Sequence, residues 1–125
     1  MTVLFWDIDG TLLTTGKAGV PAWEAAVREV TGRDFQLSSI RVPGLTDFQI
    51  AVRTFELLGL DQDDATLRRM VRRYEEGLPE ALPQKQGAVL PNVRENLEDL
   101  HGRDDVVNML LTSVACWAAM SAVKS

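Results

Sequence analysis

The sequence predicts an α/β fold: a parallel-strand core interrupted by an inserted helical module. Three observations carry that expectation. Val3–Ile8 is an almost unbroken run of strand-forming apolar residues, the pattern of a strand covered on both faces. Val106–Leu111 is a second such run, with Asn108 its one polar residue. Everything between them reads as mostly helical, and two parallel strands need a crossover of that kind.

The elements follow in order. A first helix is expected over Val20–Val30, with Pro21 suited to its first turn and Gly32 to the position past its end. Trp23, Ala26, Val27 and Val30 form its apolar face. A second spans Asp47–Leu58, where Thr46 and Gln49 have capping-box spacing and Gly59 is the stop. Its stripe is Phe48, Ala51, Val52, Phe55 and Leu58. A third spans Asp64–Gly77, with Leu67, Met70, Val71 and Tyr74 on one face and Arg68, Arg69, Arg72 and Arg73 on the other. A fourth runs from Pro91 to Leu100, turning Val93, Leu97 and Leu100 inward, and a short last helix is expected over Ala115–Val123. The loops Leu13–Gly19 and Pro79–Leu90 carry Gly, Pro and small polar residues and read as hinges. The expected division is therefore a core of residues 1–16 and 88–125, with a helical module of residues 17–87 inserted into it.

Composition narrows the function. The chain has 125 residues, 46% apolar and 25% charged, ordinary for one globular domain. Its net charge is −5 and its basic residues are scattered, which gives no electrostatic footprint for nucleic acid. No apolar run approaches the ~20 residues needed to span a bilayer. Met1–Trp6 lacks the basic leader of a signal peptide. A single cysteine, Cys116, cannot close an internal disulfide, so a cytoplasmic protein with a small-molecule ligand, and neither nucleic acid nor membrane as partner, is expected.

The residues that carry chemistry are Asp7-Ile8-Asp9-Gly10-Thr11-Leu12-Leu13, where the first strand runs out. Ligands of open α/β sheets bind outside the carboxyl ends of strands. Two carboxylates at i and i+2 reach that crevice together, and their repulsion must be relieved by a cation, a proton or a donor. Mg²⁺, a hard cation taking oxygen ligands, is the natural solution. One carboxylate can then attack phosphorus while the other handles the leaving-group proton. Gly10 permits a tight exit and a close approach of backbone to phosphate. The plain alternative is a strand-end aspartate pair followed by a turn. A calcium loop fails, because its sixth position holds Leu12 instead of Gly and its twelfth holds Ala18 instead of Glu.

Phe5-Trp6-Asp7-Ile8-Asp9-Gly10-Thr11-Leu12 resembles the first motif of the haloacid dehalogenase-like superfamily, a hydrophobic strand ending Asp-x-Asp-Gly-Thr-Leu. The resemblance implies a Rossmann-like core, with Asp7, a Mg²⁺ ligand, as the nucleophile that becomes an aspartyl-phosphate, and Asp9 as general acid/base with its backbone carbonyl on Mg²⁺. Leu110-Leu111-Thr112 is similar to the second motif, implying that Thr112, with Ser113 and the Gly10–Thr11 backbone, holds phosphate. The intervening helices resemble the cap of the phosphoglycolate phosphatase-like branch. There Gly44-Leu45-Thr46-Asp47 is similar to a cap segment near substrate, which implicates Thr46 and Asp47. In this family the carbon–halogen hydrolases lack the second aspartate, so Asp9 implies phosphoryl transfer.

The pattern also departs from the family. Its third motif supplies a Lys and its fourth an acidic pair, yet after Thr112 the only Lys is Lys124 and no Asp or Glu follows Asp105. The expectation is a core incomplete at its C-terminal end, from a truncated or frame-shifted gene, with weak or absent turnover and a sheet edge open to association. The function expected is Mg²⁺-dependent hydrolysis of a small phosphorylated metabolite. The alternatives are a catalytically silent protein acting by association and, from the shared cap type, a phosphomutase. Lys17 lies in the loop after the first motif, where it is read as an exposed lysine within reach of substrate. The four arginines of the third helix are read as a solvated face.

Overall fold

The structure is a computed structural model that describes residues 1–111 of the chain. Thr112, Ser113, Cys116, Trp117 and the expected last helix lie outside the described residues.

Strand β1, Thr2–Trp6, pairs in parallel with β4, Val106–Leu110, with Thr2 opposite Val106 and Trp6 opposite Leu110. β-branched and aromatic side chains favour this pleated geometry. Trp6 Nε1 donates to Asn108 Oδ1 across the strands at 2.9 Å, which accounts for the one polar residue of β4. Helix α4, Val93–His101, precedes β4. It starts two residues after Pro91 because Asn92 takes a left-handed conformation, φ 64°, and the helix can begin only beyond it. Val93, Leu97 and Leu100 are its half-buried face, on the expected side.

The core sits among the inserted helices instead of against the sheet. Helices α1 (Gly19–Thr31), α2 (Asp47–Leu58) and α3 (Asp64–Ala81) pack Trp23, Val27, Ala51, Phe55, Leu67 and Met70 into one apolar cluster. α2 has the expected bounds, because its capping box and its left-handed stop at Gly59 are both local signals. Its buried face is rotated from the expected stripe. Ile50 and Thr54 are buried, while Phe48 is exposed under the Arg68 guanidinium, 5.8 Å from its ring centre. α3 runs through Pro79 to Ala81, past the expected end at Gly77. Leu78 is buried in the cluster, and that burial holds the last turn against the proline. The arginine face is solvated, with Arg68 paired to Asp64 and Arg73 to Glu29 of α1.

Two corrections concern the sheet and the loops. Val3 and Phe5 are 44% and 60% exposed, so β1 is not covered on both faces by the described residues. Trp6 lies on the sheet surface with Asn108 and takes no part in the helical core. The two hinge loops pair as a short antiparallel ladder, β2 (Leu13–Thr14) with β3 (Ala88–Val89). Glycines permit that contact. A Cβ on Gly16 would stand 2.8 Å from the Gln86 carbonyl oxygen, and one on Gly87 would stand 2.9 Å from that of Thr14. Among the described residues no helix is long and apolar enough to cross a membrane.

Candidate functional site

The site is built where β1 ends. β1 ends at Trp6, and the bend that follows brings Asp7, Ile8 and Asp9 to one cavity, with both aspartates exposed and Ile8 buried. The Ile8 carbonyl accepts from the Leu12 and Leu13 N–H groups at 2.9 and 3.1 Å. Gly10, at φ 81°, provides the reversal that a side chain would strain. The turn thus locks the peptide around Ile8 and leaves both carboxylates exposed.

Those carboxylates open into a cavity of about 630 Å³ between the end of β1 and the inserted helices. Lys17 reaches its wall from the linker, Asp47 from the first turn of α2, and Tyr74 from α3. Lys17 has φ 63°, a left-handed conformation that costs a non-glycine residue about 1–3 kcal/mol and concentrates at functional positions. Its own carbonyl accepts from Val20 N–H at the start of α1, which fixes its backbone. Tyr74 packs edge-on against Trp23, ring centres 5.0 Å apart. Burial pushes the Tyr74 phenol well above its ordinary value, and the negative charges of Asp47, Asp9 and Glu75 add to that. It therefore remains a neutral donor.

Of the residues singled out from sequence, the structure brings Asp7, Asp9, Lys17 and Asp47 to this one cavity. Thr46 does not line it. Its hydroxyl accepts from Gln49 N–H at 3.2 Å and its N–H donates to Gln49 Oε1 at 2.8 Å, so it is a helix cap. Gly10 and Thr11 do not line it either. Gly10 N–H donates to the Leu13 carbonyl at 2.8 Å and Thr11 N–H to the Ile8 carbonyl at 3.3 Å, so the turn itself engages the two donors expected for phosphate. Thr112 and Ser113 lie outside the described residues. Tyr74 was not legible as a site residue, because within an apolar helical stripe it reads as core. Its one signal is a hydroxyl where the stripe otherwise has none.

The donor set suits Mg²⁺, which is commonly held by one or two carboxylates with water and phosphate oxygens completing six ligands. Asp7 and Asp9 supply carboxylates of that kind on one exposed turn. Among the described residues no third His, Cys, Asp or Glu clusters with them as a metal group.

No family model matches the chain, and neither does any curated protein sequence. Solved structures do match. A hydrolase from Pseudomonas syringae is similar at TM-score 0.73 and 21% identity, covering 99% of this chain and 56% of the other. A predicted phosphoglycolate phosphatase from Haemophilus somnus 129pt is similar at TM-score 0.67 and 16% identity, covering 98% and 56%. A candidate β-phosphoglucomutase from Thermotoga maritima is similar at TM-score 0.55 and 20% identity, covering 99% and 55%. The chain thus spans little more than half the length of the solved structures it matches. Over that span it shares the α/β fold of these structures, with a helical module inserted between its parallel strands.

Proposed function

We propose that the cavity takes a phosphate monoester together with Mg²⁺, and that Asp7 and Asp9 hydrolyse it. The observation that carries this reading is the convergence of Asp7, Asp9 and Lys17 on one cavity at the carboxyl end of β1. The fold shared with structures named as a hydrolase and a phosphatase supports it. The Asp7 carboxylate and the Asp9 backbone carbonyl would hold the ion, which when bound neutralises phosphate charge. An Asp7 oxygen attacks phosphorus, the ester P–O bond breaks, and Asp9 gives its proton to the departing alcohol oxygen. Asp9 then takes a proton from water, whose oxygen attacks the aspartyl-phosphate and returns Asp7 and inorganic phosphate. Lys17 adds positive charge beside the phosphate. A reducing cytoplasm is the compartment proposed for this chemistry, and the single cysteine, which cannot close an internal disulfide, supports that reading.

The test is hydrolysis of a chromogenic aryl phosphate by the 125-residue chain with Mg²⁺. Weak turnover, abolished by Asp7→Asn and by chelation, is the expected result. Absence of turnover in the parent chain overturns the reading. It favours instead a silent protein acting by association, which the exposure of Phe5, Met109 and Leu111 on and beside the sheet supports. Retention of phosphate on a sugar substrate would instead identify a phosphomutase.

A further inference from the structure

Phosphate in this cavity needs hydrogen-bond donors. The turn after β1 does not offer its own, because the Gly10 and Thr11 N–H groups close the turn itself. Carboxylates on the wall accept and do not donate. The Trp23 indole N–H is engaged by Thr54 Oγ1 inside the core. Among the described lining residues, the side-chain donors that remain are Thr15, Lys17 and Tyr74. Tyr74 comes from α3 of the helical module. Thr15 and Lys17 come from the linker that leaves the aspartate turn, with only Gly16 between them.

We propose that Thr15 is a further phosphate-binding residue, its hydroxyl donating to a phosphate oxygen beside Lys17. This rests on the phosphatase reading above and adds a residue to that site. Thr14 and Thr15 are adjacent and chemically alike, and the structure separates them. Thr14 belongs to β2, and its hydroxyl accepts from Gly16 N–H at 3.3 Å. Thr15 is half-buried on the cavity wall, and among the described residues its hydroxyl has no hydrogen-bond partner. It is thus the linker hydroxyl left for a ligand to take.

The backbone holds Thr15 from both sides. Pairing of Thr14 with Ala88 fixes the chain before it. After it, the Thr15 carbonyl accepts from Ala18 N–H at 3.3 Å and the Lys17 carbonyl from Val20 N–H at 3.1 Å, which ties the loop to the start of α1. Gly16 and Lys17 are both left-handed, each at φ 63°, so the chain turns sharply just after Thr15. A donor fixed before binding loses little freedom when the ligand arrives, and more of its hydrogen bond is realised as affinity. A hydroxyl on an anionic phosphate oxygen also makes a charge-assisted bond, stronger than one between neutral groups.

The experiment measures inorganic phosphate binding to the full chain with Mg²⁺ by calorimetry, beside the thermal midpoint of each variant. Thr15→Val removes the hydroxyl at nearly constant shape and is expected to weaken binding about 10-fold. Thr15→Ser keeps the hydroxyl and should bind within about 2-fold of wild type. The midpoint of Thr15→Val should stay within about 3 °C of wild type, because the hydroxyl bonds no described residue. A larger drop would assign the hydroxyl to the fold and overturn the inference. Equal affinities for wild type and Thr15→Val overturn it too, and leave the phosphatase reading standing. So does Thr15→Ser binding as weakly as Thr15→Val, since the methyl group would then be what matters. Wild type that binds no phosphate overturns the phosphatase reading itself and this inference with it.

Discussion

Trp23 of α1 and Thr54 of α2 are joined by a buried hydrogen bond, indole N–H to hydroxyl oxygen at 3.2 Å. The same Thr54 hydroxyl donates back to the Ile50 carbonyl at 2.8 Å. Both residues are essentially inaccessible to solvent. One hydroxyl thus satisfies the only polar atom of the largest core side chain, and that side chain is also a wall of the cavity.

Replacing that hydroxyl with a methyl group should therefore cost more than its volume suggests. Thr54→Val leaves the indole N–H buried without an acceptor, a loss of about 1–3 kcal/mol. Urea unfolding followed by tryptophan fluorescence checks it. A change within the error of the fit would show that the bond contributes nothing net.

Lys17 should matter to anion binding in a way an ordinary exposed lysine does not. Lys17→Met is expected to weaken inorganic phosphate binding with Mg²⁺ by about 10-fold, a modest factor because the side chain is solvated and screened. Lys17→Arg should keep most of the affinity, and the wild-type advantage should shrink at high salt. Equal affinities for wild type and Lys17→Met would remove Lys17 from the site.

The crossing of the two linkers allows no side chain. Gly16→Ala adds a Cβ 2.8 Å from the Gln86 carbonyl oxygen at a φ of 63°, so steric and conformational costs add to about 2 kcal/mol or more. A lower thermal midpoint is expected, together with weaker phosphate binding, because Lys17 is the next residue. Gly32→Ala, also at positive φ but with open space around it, should cost only the conformational part. Equal midpoints for the two variants would show that the linkers are free to separate.

Tyr74 is the only tyrosine, so absorbance near 295 nm reads it directly. Its folded-state pKa lies above the ordinary value of 10.0, raised chiefly by burial. The stability it contributes is therefore complete below pH 10 and lost as pH rises through the folded-state value. Phenolate should appear only well above pH 10 and together with unfolding, seen in tryptophan fluorescence. Ionisation near pH 10 with the fold intact would place the hydroxyl in open water.

Local chemistry made much of this molecule readable from its amino acids. The apolar run before Asp7 marked β1, Thr46 with Gln49 and Gly59 bounded α2, and the Asp7-Ile8-Asp9 run where β1 ends marked the two carboxylates that meet at the cavity. Each depends on neighbours a few residues apart, whose geometry the backbone dictates. The rest depended on contacts between distant segments. Pairing of residues 13–14 with 88–89 turned two hinge loops into a ladder, and burial of Leu78 carried α3 past its proline. Packing of α3 on α1 aimed the Tyr74 hydroxyl into a cavity that a helical stripe gave no reason to expect. Periodicity tells which residues leave water. It does not tell which polar atoms meet once they have left, because that is decided by the arrangement of whole helices around one another.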